Sequence, residues 1–133
     1  MSLKKLNGLG ADVIERLKSA DIRTSDKLLD AAKTLQGRKA LSRKTGIDPK
    51  HLLRFANIAD KLRVKGLGQG YAELLSHAGV DTVRELKYRN PEKLAAAMRK
   101  KNEKLKLVRL VPTEKAVGRW IEEARKLPQE ISY

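Results

Sequence analysis

Cysteine is absent from this sequence, and aromatic residues make up only 4% of its 133 residues. Without cysteine the chain can form no disulfide, no thiolate zinc site and no cysteine nucleophile. The few aromatic side chains leave little material for the base-stacking surfaces that single-strand-binding proteins use. No apolar run approaches the roughly 18 residues that a membrane-spanning helix needs, and the N-terminus lacks the apolar segment of a secretion signal. The sequence therefore predicts a cytoplasmic protein.

Positive charge is what the sequence has in excess. Its 30 lysine and arginine residues stand against 16 aspartate and glutamate residues, which gives a formal net charge of +14. Hydrophobic residues make up 41% of the chain, which is enough at this length for a buried core. A charge of this size indicates a polyanionic partner. We expect nucleic acid first and an acidic protein as the alternative, and neither a membrane nor a small-molecule substrate.

The sequence also contains an internal repeat. Gly8-Leu9-Gly10 recurs as Gly66-Leu67-Gly68 at an offset of 58 residues, and identical residues follow at five further positions. The match runs without a gap over about 25 positions, which is typical of a duplicated supersecondary unit.

Each copy predicts two helices. A glycine turn opens the first, over residues 11–20 in one copy and 69–78 in the other, because apolar residues then recur on one helical face. Thr24 and Thr82 fit the N-cap of the second helix, and Thr82-x-x-Glu85 has the form of a capping box.

Helix signals of this kind continue through the chain, and no convincing strand interrupts them. They predict an all-α fold of about seven or eight short helices. We expect one shared core, since a lobe of about 65 residues would be marginal alone. The domain then divides into a first repeat unit at 1–36, a basic helical hairpin at 37–63, a second unit at 64–90 and C-terminal helices at 91–133 that complete it.

The segment from Leu62 to Leu75, which contains Gly66-Leu67-Gly68-Gln69-Gly70, resembles the helix-hairpin-helix motif of DNA-binding and DNA-repair proteins. Residues 6–12 resemble a second copy. Nearly the full chain, including the tail around Trp120, is similar to a family of small prokaryotic proteins with paired helix-hairpin-helix units and no assigned function. The resemblance implies tandem helix-hairpin-helix units and sequence-independent DNA binding, often through a monovalent cation held by the hairpin. We expect no other cofactor.

The resemblance also implies which residues hold phosphate. These are Lys65, Gly66, Gly68, Gln69 and Gly70. In the first copy Asp12 stands where Gly70 stands in the second, and a carboxylate at the start of a helix repels phosphate. We therefore expect the second hairpin to bind phosphate and the first to be chiefly structural.

A second group of candidate phosphate-binding residues comes from the charge pattern. Residues 37–63 contain 8 basic and 2 acidic side chains, whereas ordinary solvated surfaces mix both signs. The candidates are Arg38, Lys39, Arg43, Lys44, Lys50, Arg54 and Lys61. Such contacts are independent of base sequence and sensitive to salt.

No pattern for catalysis or metal binding is recognisable, because His51 and His77 lack ligand spacing and no triad or carboxylate cluster is apparent. We therefore expect a binding protein and not an enzyme. The sequence predicts binding of nucleic acid, with duplex DNA favoured over RNA, through backbone phosphates, which would make the protein nucleoid-associated. The alternative hypothesis is a module that docks an acidic protein partner. A third hypothesis is an accessory to a nuclease or lyase.

Overall fold

A computed structural model describes residues 2–6 and 8–133 of the chain. Within these residues it contains no strand, which confirms the predicted all-α class. A 3₁₀ turn spans Leu3–Lys5, and the helices are α1 Ala11–Ser19, α2 Ser25–Ala32, α3 Leu35–Thr45, α4 Pro49–Lys61, α5 Gln69–His77, α6 Val83–Leu86, α7 Pro91–Leu105 and α8 Glu114–Arg125. None of the described helices is both long enough and apolar enough to cross a bilayer.

The chain divides into two units, Met1–Asp60 with Glu130–Tyr133 and Lys61–Gln129. In the first unit α3 packs against α1 and α2. The last residues of the chain belong to this unit, because the Ser132 amide donates to the Lys33 carbonyl at 2.8 Å. Leu17 and Leu28 are fully buried in its core.

In the second unit α8 packs against α6 and α7, and α7 also packs against α5. The apolar face of α8 is buried, with Trp120 only 6% exposed. The Trp120 ring lies 5.3 Å from the Tyr71 ring, measured between centroids, at an angle of 47°. Trp120 is buried and Tyr71 is half-buried.

The two glycine turns and the segments after them have the same local structure. Gly8 and Gly66 both have left-handed backbones, with φ of +87° and +83°, and Asp21 and Gly79 do so where the following helix ends. The backbone hydrogen bonds also recur at the 58-residue offset: Ile14 N to Gly10 O and Ala72 N to Gly68 O, Ile22 N to Leu17 O and Val80 N to Leu75 O, Leu28 N to Thr24 O and Leu86 N to Thr82 O.

Local capping signals fix most helix starts. Thr82 and Glu85 form the expected capping box, and Asn90 caps α7 ahead of Pro91. Helix α3 begins at Leu35, inside the predicted first repeat unit, because the Thr34 hydroxyl accepts a hydrogen bond from the Gly37 amide at 3.0 Å. It therefore crosses the predicted boundary between residues 36 and 37.

Candidate nucleic-acid interface

The second glycine turn is open to solvent. Lys65 and Gly66 are exposed, whereas Leu67 is buried and anchors the turn. The Leu67 amide donates to the Val64 carbonyl at 3.1 Å, which closes the turn. The left-handed backbone of Gly66 lets the chain reverse here, and a Cβ atom at this position would meet nothing within 4 Å.

The start of α5 presents backbone N–H groups without a capping side chain. Gly68 is the N-cap residue, it is exposed, and the first turn of the helix contains no acidic residue. The N–H groups of a first helical turn have no partner inside the helix, and the helix dipole makes this end positive. The turn and the helix start therefore form a surface that favours an anion.

The first glycine turn differs in its charge. Gly10 also caps α1 without a side-chain hydrogen bond, but Asp12 lies in the first turn of that helix. The Asp12 carboxylate pairs with the Arg16 side chain at 3.1 Å. A carboxylate at this place competes with any phosphate, so the two turns share a backbone structure and differ in their suitability for an anion.

Gly70 lies against another part of the chain. A Cβ atom there would be 3.0 Å from Val108 Cγ1 and 3.4 Å from the Leu107 carbonyl oxygen. The segment is held in place by Asn102, whose side chain donates to the Val108 carbonyl at 3.0 Å and accepts from its amide at 3.1 Å. A larger residue at 70 would therefore disturb packing first. The side chain of Gln69 lies outside what the structure describes.

Five of the basic side chains predicted to contact phosphate lie in the first unit and point to solvent. Within the described residues, none of them makes an ion pair, and the Arg54 guanidinium lies 5.3 Å from the centroid of the Phe55 ring. On α3 and α4 the spacing of four residues places pairs of these cations on one helical face. The five are Lys39, Arg43, Lys44, Lys50 and Arg54.

Two residues predicted to contact phosphate, Arg38 and Lys61, are buried. They therefore do not belong to the candidate interface. Arg38 is 2% exposed, and its guanidinium donates to the carbonyls of Ala32 at 2.9 Å and Ser132 at 2.7 Å. Burial lowers the pKa of Arg38, although the charge of Tyr133 acts in the opposite direction. The guanidinium stays protonated and stabilises the C-terminal residues of the first unit.

Lys61 is 0% exposed, and its ammonium group donates to the Ser76 hydroxyl and to the Val80 carbonyl. The charge pattern predicts an exposed phosphate contact at Lys61, but every residue of α4 from Phe55 to Lys61 is buried. The burial of Lys61 could have been predicted from the internal repeat. At the 58-residue offset Lys61 aligns with Leu3, which is 1% exposed.

A cavity that no sequence pattern indicates opens in the second unit, beside the second glycine turn. Its volume is about 870 Å³, and Lys65 and Gly66 form part of its lining together with residues of α8. Tyr71, Pro91 and Pro112 line it as well. These residues are distant in sequence, so only the packing of α5, α7 and α8 brings them together.

The two glycines of the second turn should respond differently to alanine. Gly66→Ala places a side chain on a left-handed backbone, so we expect the free energy of unfolding to fall by about 1–2 kcal/mol. Gly68 has φ of −81°, and a Cβ atom there meets only Tyr71 Cδ2, at 3.8 Å. Gly68→Ala should therefore change stability by less than about 0.5 kcal/mol. Urea denaturation of both variants checks this, and equal losses would contradict the described turn.

Within the described residues no three His, Cys, Asp or Glu side chains are grouped so that they could hold a metal ion.

Comparison with known protein families assigns the chain to one of them. No curated protein and no solved structure matches the chain. A family model described as "Domain of unknown function (DUF4332)" matches residues 7–127. Because that match covers most of the 133 residues, the chain belongs to the DUF4332 domain family.

Proposed function

We propose that this protein binds nucleic acid, duplex DNA in preference to RNA, through backbone phosphates and without catalysis or base-sequence preference. In this proposal the two glycine turns with their flanking helices are helix-hairpin-helix units that arose by duplication. Their common backbone conformation and hydrogen bonds support that reading. The second hairpin, at Gly66 and Gly68, binds phosphate, and the first hairpin, at Gly8 and Gly10, is chiefly structural.

The observation that carries the proposal is the start of α5. The exposed Gly66 and Gly68 let another molecule approach the backbone closely, and no side chain caps the N–H groups behind them. No carboxylate lies in the first turn, and Lys65 adds a positive charge beside it. A phosphate matches this combination of donors and charge.

The charge distribution supports a polyanion as the partner. Residues 61–129 contain 17 basic and 8 acidic residues. Several cations of α7 and the segment after it are exposed, and they are Arg99, Lys100, Lys101, Lys104, Lys106 and Arg109. Lysine and arginine contacts to phosphates carry no base-sequence information, so such binding is general and depends on salt. A DNA-binding role would place the protein at the nucleoid of the cytoplasm.

A monovalent cation at the second turn belongs to the same proposal. Gly66 is open to solvent, so a small ion could reach the backbone of the turn, where its charge would help to hold a phosphate oxygen. The binding surface itself consists of this chain's amides and basic side chains.

An acidic protein is the second candidate partner. Tyr88 is 82% exposed and Leu110 is 77% exposed, and both lie in the basic second unit. Large exposed apolar side chains are typical of protein interfaces. This alternative predicts no measurable affinity for duplex DNA.

Removal of Lys39 and Arg43 tests the proposed contacts. These two cations are exposed and lie four residues apart on α3. The double variant Lys39→Ala/Arg43→Ala should bind duplexes of unrelated sequence more weakly, and the slope of log affinity against log salt should fall by about one unit per lost phosphate contact. Fluorescence anisotropy with labelled duplexes measures both quantities.

The double variant Arg16→Ala/Lys126→Ala is the matched control. It removes the same charge, but Arg16 already pairs with Asp12 and Lys126 with Glu123. We expect its salt slope to stay close to that of the wild type. If both double variants lose the same affinity and slope, only the net charge matters and the proposed interface is wrong.

A further inference from the structure

The cavity beside the second glycine turn has an aromatic floor. Trp120 and Tyr71 both line it, with their ring centroids 5.3 Å apart. The Tyr71 hydroxyl donates to the Leu110 carbonyl at 2.8 Å, which fixes the direction of that ring. Pro91 and Pro112 add rigid apolar surface. The floor is therefore a preformed surface for a flat apolar group.

Positive charge surrounds this floor. Lys65, Lys115 and Arg119 line the cavity, are exposed, and make no ion pair within the described part of the chain. The carboxylates that also line it have partners of their own: Glu122 pairs with Arg125 at 2.6 Å, and Glu123 with Lys126 at 3.3 Å. Free positive charge remains at the rim, which suits an anionic group.

Gly118 is a lining residue of the cavity without a side chain. It lies inside α8, where glycine is an unfavourable helix former. Neither packing nor a left-handed backbone requires glycine there, because an added Cβ atom would meet only Pro91 Cβ, at 3.9 Å. Both residues line the cavity. The missing side chain therefore leaves free space beside Pro91 in the lining of the cavity.

A flat aromatic ring joined to a phosphate is the ligand chemistry that fits these features. The volume of about 870 Å³ is within the range of sites for small organic ligands, about 300–1,000 Å³. The base of a nucleotide could lie against Tyr71 and the edge of Trp120, while its phosphate meets the cations of the rim. A base inside a duplex is stacked and paired, so it cannot enter without being extruded.

We propose that this cavity takes the unpaired nucleotide at the end of a DNA strand. The inference rests on the proposed function, because Lys65 and Gly66 belong both to the phosphate-binding turn and to the cavity. A strand held at the turn by one phosphate can therefore place its terminal nucleotide in the cavity. The protein then prefers duplexes that carry an overhanging nucleotide to blunt ones.

Trp120 reports on occupation of the cavity, because it is the single tryptophan of the chain. The wild-type protein is titrated with a blunt duplex, with the same duplex carrying one unpaired nucleotide at the 3′ or the 5′ end, and with a free mononucleotide. We expect an overhang to raise affinity about tenfold, since stacking of one base contributes on that order, and to quench Trp120 fluorescence. The blunt duplex should bind without quenching.

Gly118→Leu places a large side chain in the cavity lining. Ala96→Leu, at an exposed position of α7 outside that lining, is its control. The Gly118→Leu variant should bind blunt and overhanging duplexes alike with no quenching, and the Ala96→Leu variant should keep the preference. Lys115→Ala/Arg119→Ala tests the rim without entering the core, because both side chains are exposed, and it should lower the preference for an overhang. Circular dichroism verifies that each variant is folded.

The outcomes separate this inference from the proposed function. Equal affinity of the wild-type protein for blunt and overhanging duplexes would overturn the cavity as a nucleotide site and leave phosphate binding intact. Retention of the preference in Gly118→Leu would overturn it too. A mononucleotide that binds as tightly as the overhanging duplex would show that the source is a free nucleotide and not a strand end. Failure to bind any duplex would overturn the proposed function itself.

Discussion

Trp120→Ala should lower the free energy of unfolding by about 3–5 kcal/mol, a large part of the stability of a small protein. The indole is 6% exposed and contacts the Tyr71 ring. Its removal leaves a void on the buried face of α8, beside Val117 and Ile121, which are also buried. Urea denaturation followed by circular dichroism measures the loss.

Tyr88→Ala is the matched control for this experiment. Tyr88 is also aromatic and belongs to the same unit, but it is 82% exposed. Its replacement should change stability by less than about 0.5 kcal/mol. Equal effects of the two substitutions would show that α8 contributes little to the core of the second unit.

Gly37→Ala should destabilise the protein, although alanine is the better helix former. A Cβ atom at position 37 would lie 2.3 Å from the Ala31 carbonyl oxygen and 3.0 Å from the Thr34 hydroxyl. Backbone cannot yield as a flexible side chain does, so the start of α3 must shift. We expect a loss of about 2–3 kcal/mol in the free energy of unfolding.

Gly118→Ala, in α8, should instead stabilise the protein. The nearest atom to its added Cβ is 3.9 Å away, so only the gain in helix propensity remains, about 0.5–1 kcal/mol. Thermal denaturation of the two variants should therefore move the midpoint in opposite directions. A stabilised Gly37→Ala variant would contradict the described approach of Ala31 to α3.

The parts of the fold that depend on neighbouring residues could be predicted from the sequence. Thr82 with Glu85 and Asn90 with Pro91 fix helix starts within a few residues of chain. The left-handed position at Gly79, and Asp21 at the equivalent place, likewise follow from local backbone preferences. The expectation that the whole chain shares one core stays a prediction.

The parts that depend on tertiary packing could not be predicted. Arg38 and Lys61 have the sequence context of exposed cations, and burial of each depends on carbonyl groups elsewhere in the fold. Long basic side chains can bury their apolar stems when the charged head finds partners. The cavity at Gly118 depends in the same way on residues from three helices and two loops.

Salt dependence of duplex binding tests the central claim most directly. Labelled duplexes of two unrelated sequences are titrated with the wild-type protein at about 50 mM and about 200 mM salt. The account has six exposed cations contacting phosphates, namely Lys39, Arg43, Lys44, Lys50, Arg54 and Lys65. The affinity for DNA should therefore fall by about 10³ between the two salt concentrations. The two sequences should bind with the same affinity. No binding of either duplex at about 50 mM salt, where electrostatic binding is strongest, would contradict phosphate recognition and leave an acidic protein as the partner to seek.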